Sequence, residues 1–422
     1  MIDIKIFRET PELIKESQKK RGEDTKIVDA IVKVDIAWRN KLQEADKLKH
    51  ERNVVTAKVA ELKKKKKSAD KEIKSMRVVT DKISDFNVEL KELENKRDEL
   101  RMAVPNILDK SVPYGEGEPD NKEVRKWGEI KKFSFTPKSH VDIGQELDLF
   151  DTERAAKVAG ARFYYLKGDL VKLNHALIDF GLDFLKKKGF TLMQPPFMLN
   201  RASIAGAIPL TAFEEMIYKI DGEDLYLIGT AEHALAEYYK DETLDVKQLP
   251  IRFAGISSCF RKEAGAHGKD MKGIFRVHQF EKIEQFVFCK PEDSWKEFEF
   301  LAKNSEEMFE LLEIPHRTIV LCSKETGRVA SKTYDLECWM PAQNTFRELG
   351  SCSNVLDYQA IRSNIRFRDK NDVKYPHMLN NTAIATERTI VAIIENHQQK
   401  DGSIKIPKAL LPYTGFKEIL KK

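Results

Sequence analysis

The chain has 422 residues, 41% of them hydrophobic and 33% charged, with a formal net charge of +5. That length exceeds what one hydrophobic core usually serves, so more than one domain is expected, and the apolar content excludes a disordered chain. The five cysteines, Cys259, Cys289, Cys322, Cys338 and Cys352, are odd in number and form no C-x-x-C pair, which argues against a disulfide framework and a zinc knuckle.

Residues Met1 to Arg8 lack the apolar stretch of a signal peptide, and no apolar run approaches the ~20 residues of a membrane span. A cytoplasmic protein with no membrane attachment is expected. Residues 1–104 hold 27 Lys and Arg against 21 Asp and Glu, so the whole positive excess lies in the N-terminal quarter. Residues 23–104 contain neither glycine nor proline, the usual punctuation of loops. Ile27, Ile31, Val34, Trp38, Leu42 and Ala45 step by fours and threes, and Val55, Val59 and Leu62 resume the beat. Val79, Ile83, Phe86, Leu90, Leu93, Arg97, Leu100 and Val104 repeat it with one charged exception. Each half is a helix with one apolar stripe that asks for a partner. The polar run Lys63 to Asp70 is off the beat and predicts the turn of an antiparallel hairpin, with a break over 63–76. Forty residues at 1.5 Å each make an arm of roughly 60 Å. A dimerising coiled coil is the plainer alternative, and the two matched halves favour the hairpin. Its charged exterior is either a solvated face or a grip for a phosphate backbone.

Pro105, Pro113, Gly115, Gly117 and Pro119 mark a change of texture. The expected organisation is an arm domain over 1–104, a linker over 105–123 and a second domain over 124–422. Within the second domain, Leu182 to Lys187 reads as a helix stopped by Gly189, followed by a strand from Phe190 to Gln194 closed by Pro195 and Pro196. Leu225 to His233 reads as a strand ending in the triplet Thr230, Ala231 and Glu232 before His233. Thr230 there either caps the next helix with Glu232 on the surface, or both side chains face a substrate amine.

Cys259 to Glu263 and Ile274 to Phe288 read as paired strands around a polar loop, Ala264 to Gly273, carrying His267, Lys269 and Lys272. Such a pair presents Arg261, Glu263, Phe280 and Glu284 on one face. Arginine offers a phosphate two parallel charge-assisted bonds, and an aromatic ring offers a base a stacking surface. In Arg347 to Asn354, Glu348 and Ser351 could hold a hard cation beside a polyphosphate, although the segment also reads as a polar turn before a helix. Arg388 opens an apolar helical run, where backbone dipoles add to its charge.

These residues resemble the seryl-tRNA synthetases, a family of class II aminoacyl-tRNA synthetases, over nearly the whole chain. Gly181–Pro196 is similar to motif 1, Arg261–Glu284 to motif 2 and Leu379–Asn396 to motif 3. The resemblance implies an α+β fold: an N-terminal antiparallel coiled-coil hairpin, then a catalytic domain with an antiparallel β-sheet flanked by helices. It implies ATP-dependent activation of L-serine to seryl-adenylate and transfer to the 3′ end of tRNA(Ser), leaving open whether tRNA(Sec) is also charged. Arg261, Arg388 and Glu348 are the implied catalytic groups. Arg261 would bind the α-phosphate and seryl carboxylate, and Arg388 the γ-phosphate. Lys262, Glu263 and Val277 would contact ATP, the last two at its adenosine end, with Phe280 stacked on adenine. Glu348, Leu349, Gly350 and Ser351 would lie along ATP, with Glu348 and Ser351 holding Mg2+. Glu284 would accept the serine hydroxyl, and Thr230, Ala231, Glu232 and Thr382 would complete that pocket. Motif 1 forms the dimer interface in the family, so a homodimer is implied, and no zinc is expected.

Two departures stand out: Gly229 where many relatives have proline, and Glu387 where small residues are common. The bottom-up chemistry agrees with the resemblance. A carboxylate attacking the α-phosphorus of ATP brings two anions together, so cations and positioning are needed rather than a side-chain nucleophile. A catalytically weak paralogue acting as an RNA-binding protein would be marked by loss of Arg261, Glu284 or Arg388. An enzyme charging a carrier protein would lack the arm, and a threonyl enzyme would need a Cys/His zinc cluster.

Overall fold

The computed structural model describes residues 1–210, 214–263 and 272–420. Two compact units divide the chain, Met1–Pro105 and Asn106–Lys422. Among the described residues no helix is long and apolar enough to cross a membrane.

The first unit is four helices: α1 Ile4–Glu9, α2 Pro11–Arg21, α3 Lys26–Lys64 and α4 Asp70–Ala103. Gly22 ends α2 at φ 76°, a left-handed cap that glycine adopts without steric cost. The turn from α3 to α4 is tighter than the predicted break, because helix resumes at Asp70. The hairpin is antiparallel: Lys41 meets Glu89 at 2.7 Å, and Lys58 meets Glu72 at 3.0 Å. Its seam buries Ile31, Ala45, Val59 and Ile83. At the base Val28 is buried instead of Ile27, since α2 adds a third helix against α3.

Arg97, the charged exception in the heptads, has a local reason. Its guanidinium lies 4.9 Å from the Trp38 ring centroid and 3.4 Å from the Asp35 carboxylate. Asp35 is 1% exposed and also receives Arg8 at 2.8 Å and Arg39 at 3.0 Å. Burial opposes its ionisation, but the three arginines outweigh burial and hold its carboxyl below the usual range.

The second unit is built on eight strands: β1 Lys122–Trp127, β2 Thr191–Met193, β3 Ile251–Phe260, β4 Gln279–Cys289, β5 His316–Val320, β6 Lys332–Met340, β7 Thr345–Leu356 and β8 His377–Ala385. Their order is β1-β5-β6-β7-β8-β4-β3-β2. Every pairing is antiparallel except β2 with β3. The main helices are α5 Asp169–Lys187, α6 Ala231–Ala236, α7 Ser294–Leu311 and α8 Thr386–His397. Alternation along β4 separates two cores. Ile283 and Val287 join Leu173, Leu177, Leu301, Ile390 and Ile393 from α5, α7 and α8. Phe286 and Phe288 join Leu235, Phe253 and Met378 in the smaller core.

Three sequence expectations need correction. The strands around motif 2 end at Phe260 and begin at Gln279; one further backbone bond, from Arg261 N–H to the His278 carbonyl, follows, and Lys262, Glu263 and Ile274 to Val277 lie beyond it. The backbone turns away there: Lys262 N–H donates to the Met216 carbonyl, and Glu263 takes φ 49°. Leu225 to His233 keeps only Tyr226–Leu227 as strand, because Thr230 caps α6. Arg347 to Asn354 is not a turn before a helix but the middle of β7. Of the polar loop between the motif 2 strands, Ala264, Gly265, His267 and Lys269 lie outside the described residues.

Candidate active site

β4 carries the centre of the site. Period-two alternation puts Phe280, Lys282 and Glu284 on one face, and the register sets Glu284 beside Gly255 on β3 and Thr382 on β8. Glu284 is 1% exposed. The Thr230 hydroxyl donates to its Oε2 at 3.2 Å, and the Lys282 ammonium is paired with the same oxygen. Lys282 Nζ also donates to Thr382 Oγ1 at 3.3 Å.

Thr230 caps the helix, its Oγ accepting from Glu232 N–H, and its hydroxyl also donates to Glu284. Glu232 is not on the surface. It accepts from Gln359 Nε2 at 3.1 Å, and burial together with the Glu284 charge pushes its carboxyl up to about 7. Ala231, fully buried in the first turn of α6, leaves no bulk between Thr230 and Glu232. Burial, Arg261 and Lys282 push His233 down to about 3, so the neutral ring accepts from Gly229 N–H at 3.3 Å. That bond gives Gly229 a local purpose, since proline has no N–H to offer. The Gly229 carbonyl in turn accepts from Arg261 Nε at 3.1 Å. A cavity of about 280 Å3 opens here, bounded by Thr230, Glu232, Arg261 and Arg328, with Ile208 and Val329 among its apolar walls.

A second cavity, about 210 Å3, is lined by Phe275, Asp335, Glu348 and Arg388 among others. Arg388 sits in the first turn of α8 and donates from Nη1 to the Glu348 carbonyl at 3.1 Å, with the Glu348 carboxylate at 3.2 Å. Its guanidinium lies 5.3 Å from the Phe275 ring centroid, with Arg347 at 4.5 Å from the same ring. Arg261 lies 5.1 Å from the Phe280 centroid, and Val277 is buried nearby in the same core. Glu263 is held by Arg276 Nε at 2.6 Å, and the Lys262 ammonium lies 5.7 Å from the Tyr218 ring.

Residues three apart in a regular strand point to opposite faces, which would separate Glu348 from Ser351. A β-bulge prevents this. Opposite Leu336 and Glu337 the register skips Leu349, so Glu348 pairs with Glu337 and Ser351 with Asp335, on one face. Leu349 is buried, and close packing favours Gly350: a Cβ there would lie 3.0 Å from Thr382 Cβ and 3.1 Å from its carbonyl oxygen. The Ser351 hydroxyl donates to Asp335 Oδ1 at 2.6 Å and lies 3.3 Å from Glu348 Oε1. Burial and Glu348 push the Asp335 carboxyl well up, whereas Arg388 and Arg261 outweigh desolvation at Glu348 and hold it down. Two carboxylates and a hydroxyl crowded this way fit a hard divalent cation, which would relieve their repulsion. Among the described residues no group of three or more His, Cys, Asp or Glu side chains is placed to hold a metal, so the remaining oxygens would come from phosphate and water.

Of the residues expected from the sequence, Thr230, Glu232 and Arg261 line the larger cavity and Glu348 and Arg388 the smaller one. Sequence reasoning missed Lys282, Asp335, His233 and Phe275. Lys282 was findable, two places before Glu284 on one strand face. Asp335 carries no local signal, because only strand pairing brings it to Ser351.

The class II tRNA synthetase core domain model (G, H, P, S and T) matches residues 215–397, and the seryl-tRNA synthetase N-terminal domain model matches residues 1–108. A serine–tRNA ligase of Nitrosopumilus maritimus is 50% identical over 98% of this chain and 99% of its own, and one of Pyrococcus abyssi is 49% identical over 100% and 98%. Among solved structures, the seryl-tRNA synthetase of Pyrococcus horikoshii complexed with ATP has a TM-score of 0.95 at 48% identity, covering 100% of both chains. A cytoplasmic serine–tRNA ligase of Naegleria fowleri in complex with AMP has a TM-score of 0.90 at 37% identity, covering 100% and 99%.

Proposed function

The chain belongs to the seryl-tRNA synthetase family, and from that premise we propose which of its residues handle serine, ATP and RNA. The reaction is ATP-dependent activation of L-serine followed by transfer of the seryl group to tRNA. The observation that carries the residue assignment is a pair of cavities: Arg261 lines one with Thr230 and Glu232, and its charge also acts on Glu348, which lines the other with Arg388.

Glu232 takes the serine ammonium and Glu284 its hydroxyl, with Thr230 and Thr382 shaping the pocket. Arg261 stands between carboxylate and α-phosphate and lowers the repulsion as they approach. Phe280, Val277 and Glu263 receive the adenosine end, with Lys262 beside them. Arg388, backed by the N-terminus of α8, takes the far phosphate. Glu348 and Ser351, with Asp335 added, would hold Mg2+, which when bound supplies positive charge to the phosphate oxygens. These side chains orient and neutralise, and no covalent enzyme intermediate is required.

The apolar part of the larger cavity, walled by Ile208 and Val329, suits the terminal nucleoside of the RNA, with Arg328 near for its phosphate. The helical arm holds tRNA(Ser) away from the reacting end. Two chains pair through α5 and β2. Residence in the cytoplasm is supported by five free, buried cysteines, which suit a reducing compartment. A non-catalytic paralogue is disfavoured by the retention of Arg261, Glu284 and Arg388.

The test is ATP–pyrophosphate exchange with each of the twenty amino acids. Serine should drive exchange. A site built to bond a hydroxyl rejects the analogue lacking it by on the order of 10⁴-fold, so alanine should fail. Threonine should be hindered by its extra methyl. Equal kcat/KM for serine and alanine would overturn the assignment of Glu284.

A further inference from the structure

We infer that Lys282 is a positioning residue for serine selection: its ammonium occupies one oxygen of Glu284, so that the other oxygen meets the substrate hydroxyl and the substrate ammonium is left to Glu232. This rests on the reading of the larger cavity as the serine pocket.

The geometry is specific. Lys282 is 5% exposed, and its Nζ contacts Glu284 Oε2 and Thr382 Oγ1. The Thr230 hydroxyl donates to the same Oε2. One carboxylate oxygen therefore has two donors, while Oε1 has no hydrogen bond among the described residues. Strand alternation and the Glu284–Thr382 register fix this arrangement, not a flexible loop.

Half-buried Glu232 lines the cavity and buried Glu284 is bonded to Thr230 of the same wall, two carboxylates for a substrate that brings one ammonium and one hydroxyl. A cation goes to whichever carboxylate lacks one. Glu284 has Lys282 within contact distance, whereas Glu232 has only the amide of Gln359 as a hydrogen-bond partner among the described residues. Lys282 thus sorts the two carboxylates and sets the orientation of serine. A purely structural ion pair explains less, because a buried pair is commonly no more stabilising than apolar residues of similar volume. A direct phosphate contact is disfavoured, since the ammonium is already engaged by Glu284 and Thr382.

The experiment is pyrophosphate exchange by Lys282→Met and Lys282→Gln, each confirmed folded by circular dichroism, with serine, alanine and ATP varied in turn. In Lys282→Met the KM for serine should rise and the serine-over-alanine ratio should fall, each by on the order of 10–100-fold, the worth of a charged hydrogen-bonding partner. The KM for ATP should move less than about 3-fold, far below the effect of losing such a partner. Among the described charged groups, Lys282 is the one in ion-pair contact with Glu284. If Lys282→Met does not fold, Lys282→Gln carries the test, keeping a donor but not the charge, with the same directions expected. A folded variant with unchanged serine KM and unchanged discrimination overturns the proposal, as does an equal loss for serine and ATP. If the unaltered protein shows no serine-dependent exchange, the serine-pocket reading fails and takes this proposal with it.

Discussion

Two arginines meet phosphate from different directions, and their substitutions should be distinguishable. Arg261 is tethered by the Gly229 carbonyl and lines the larger cavity, so Arg261→Ala should cut adenylate formation by roughly 10²–10³ in kcat, the usual cost of one preorganised charge-stabilising donor. Arg388 is held by Glu348 at the ATP side, so Arg388→Ala should act mainly through the KM for ATP. Pyrophosphate exchange at the unaltered rate in either variant would remove its phosphate role. Glu232 adds a pH dependence. Its carboxyl sits at about 7 in the free protein, so kcat/KM for serine should decline as pH falls through about 7 while ATP binding changes little. The stability sign is opposite. A carboxyl raised on folding binds a proton in the native state, so its contribution is lost as pH rises from the ordinary carboxylate range through about 7. Glu232→Gln should therefore raise Tm more at pH 8 than at pH 5, and a pH-independent change would contradict the raised carboxyl.

At the scale of elements, the arm is two helices with a shared seam and a separate lock at its base. Asp35 binds Arg8 of α1, Arg39 of α3 and Arg97 of α4, so the base ties three helices together. Its depressed carboxyl stabilises the unit above the ordinary carboxylate range and loses that contribution as pH falls through the lowered folded value. Removing the whole arm would unseat α1 and α2, so the informative deletion spares the base. Replacing Leu48 to Ile83 with a short Gly/Ser linker keeps the Asp35 cluster and the Lys41–Glu89 pair and removes the basic tip, Lys63 to Lys67. Serine-dependent exchange should persist, because every residue assigned to that step lies beyond residue 200. Charging of tRNA(Ser) should fall through weaker RNA affinity, and the unaltered protein's affinity should decrease with salt as backbone contacts do. Equal loss in both assays would make the arm a strut, and full charging would place the RNA elsewhere.

For the whole molecule, the question is assembly. β2 stands at the end of the eight-stranded sheet, and nearby Leu192 and Met198 are 39% and 45% exposed. An apolar edge of this kind is either covered or prone to unwanted pairing, and a two-fold partner is the commonest cover. Light scattering should give about twice the chain mass of 48.7 kDa. A monomer with full activity at nanomolar concentration would exclude the dimer.

The arm was legible because a heptad stripe is a local signal, written residue by residue along one helix. The catalytic residues of motifs 2 and 3 were legible because their order along the chain resembles a known family. The charged Arg97, the bulge at Leu349 and the partners Lys282 and Asp335 became intelligible only in three dimensions. Spacing alone sends Glu348 and Ser351 to opposite faces of a strand, and only pairing with β6 reverses that. By itself the sequence determined which chemical groups are present and the class of reaction they serve. Tertiary structure decided which oxygen of Glu284 takes Lys282 and Thr230, which carboxylates crowd Ser351 and which side chains line each cavity, because each depends on contacts between segments far apart in the chain.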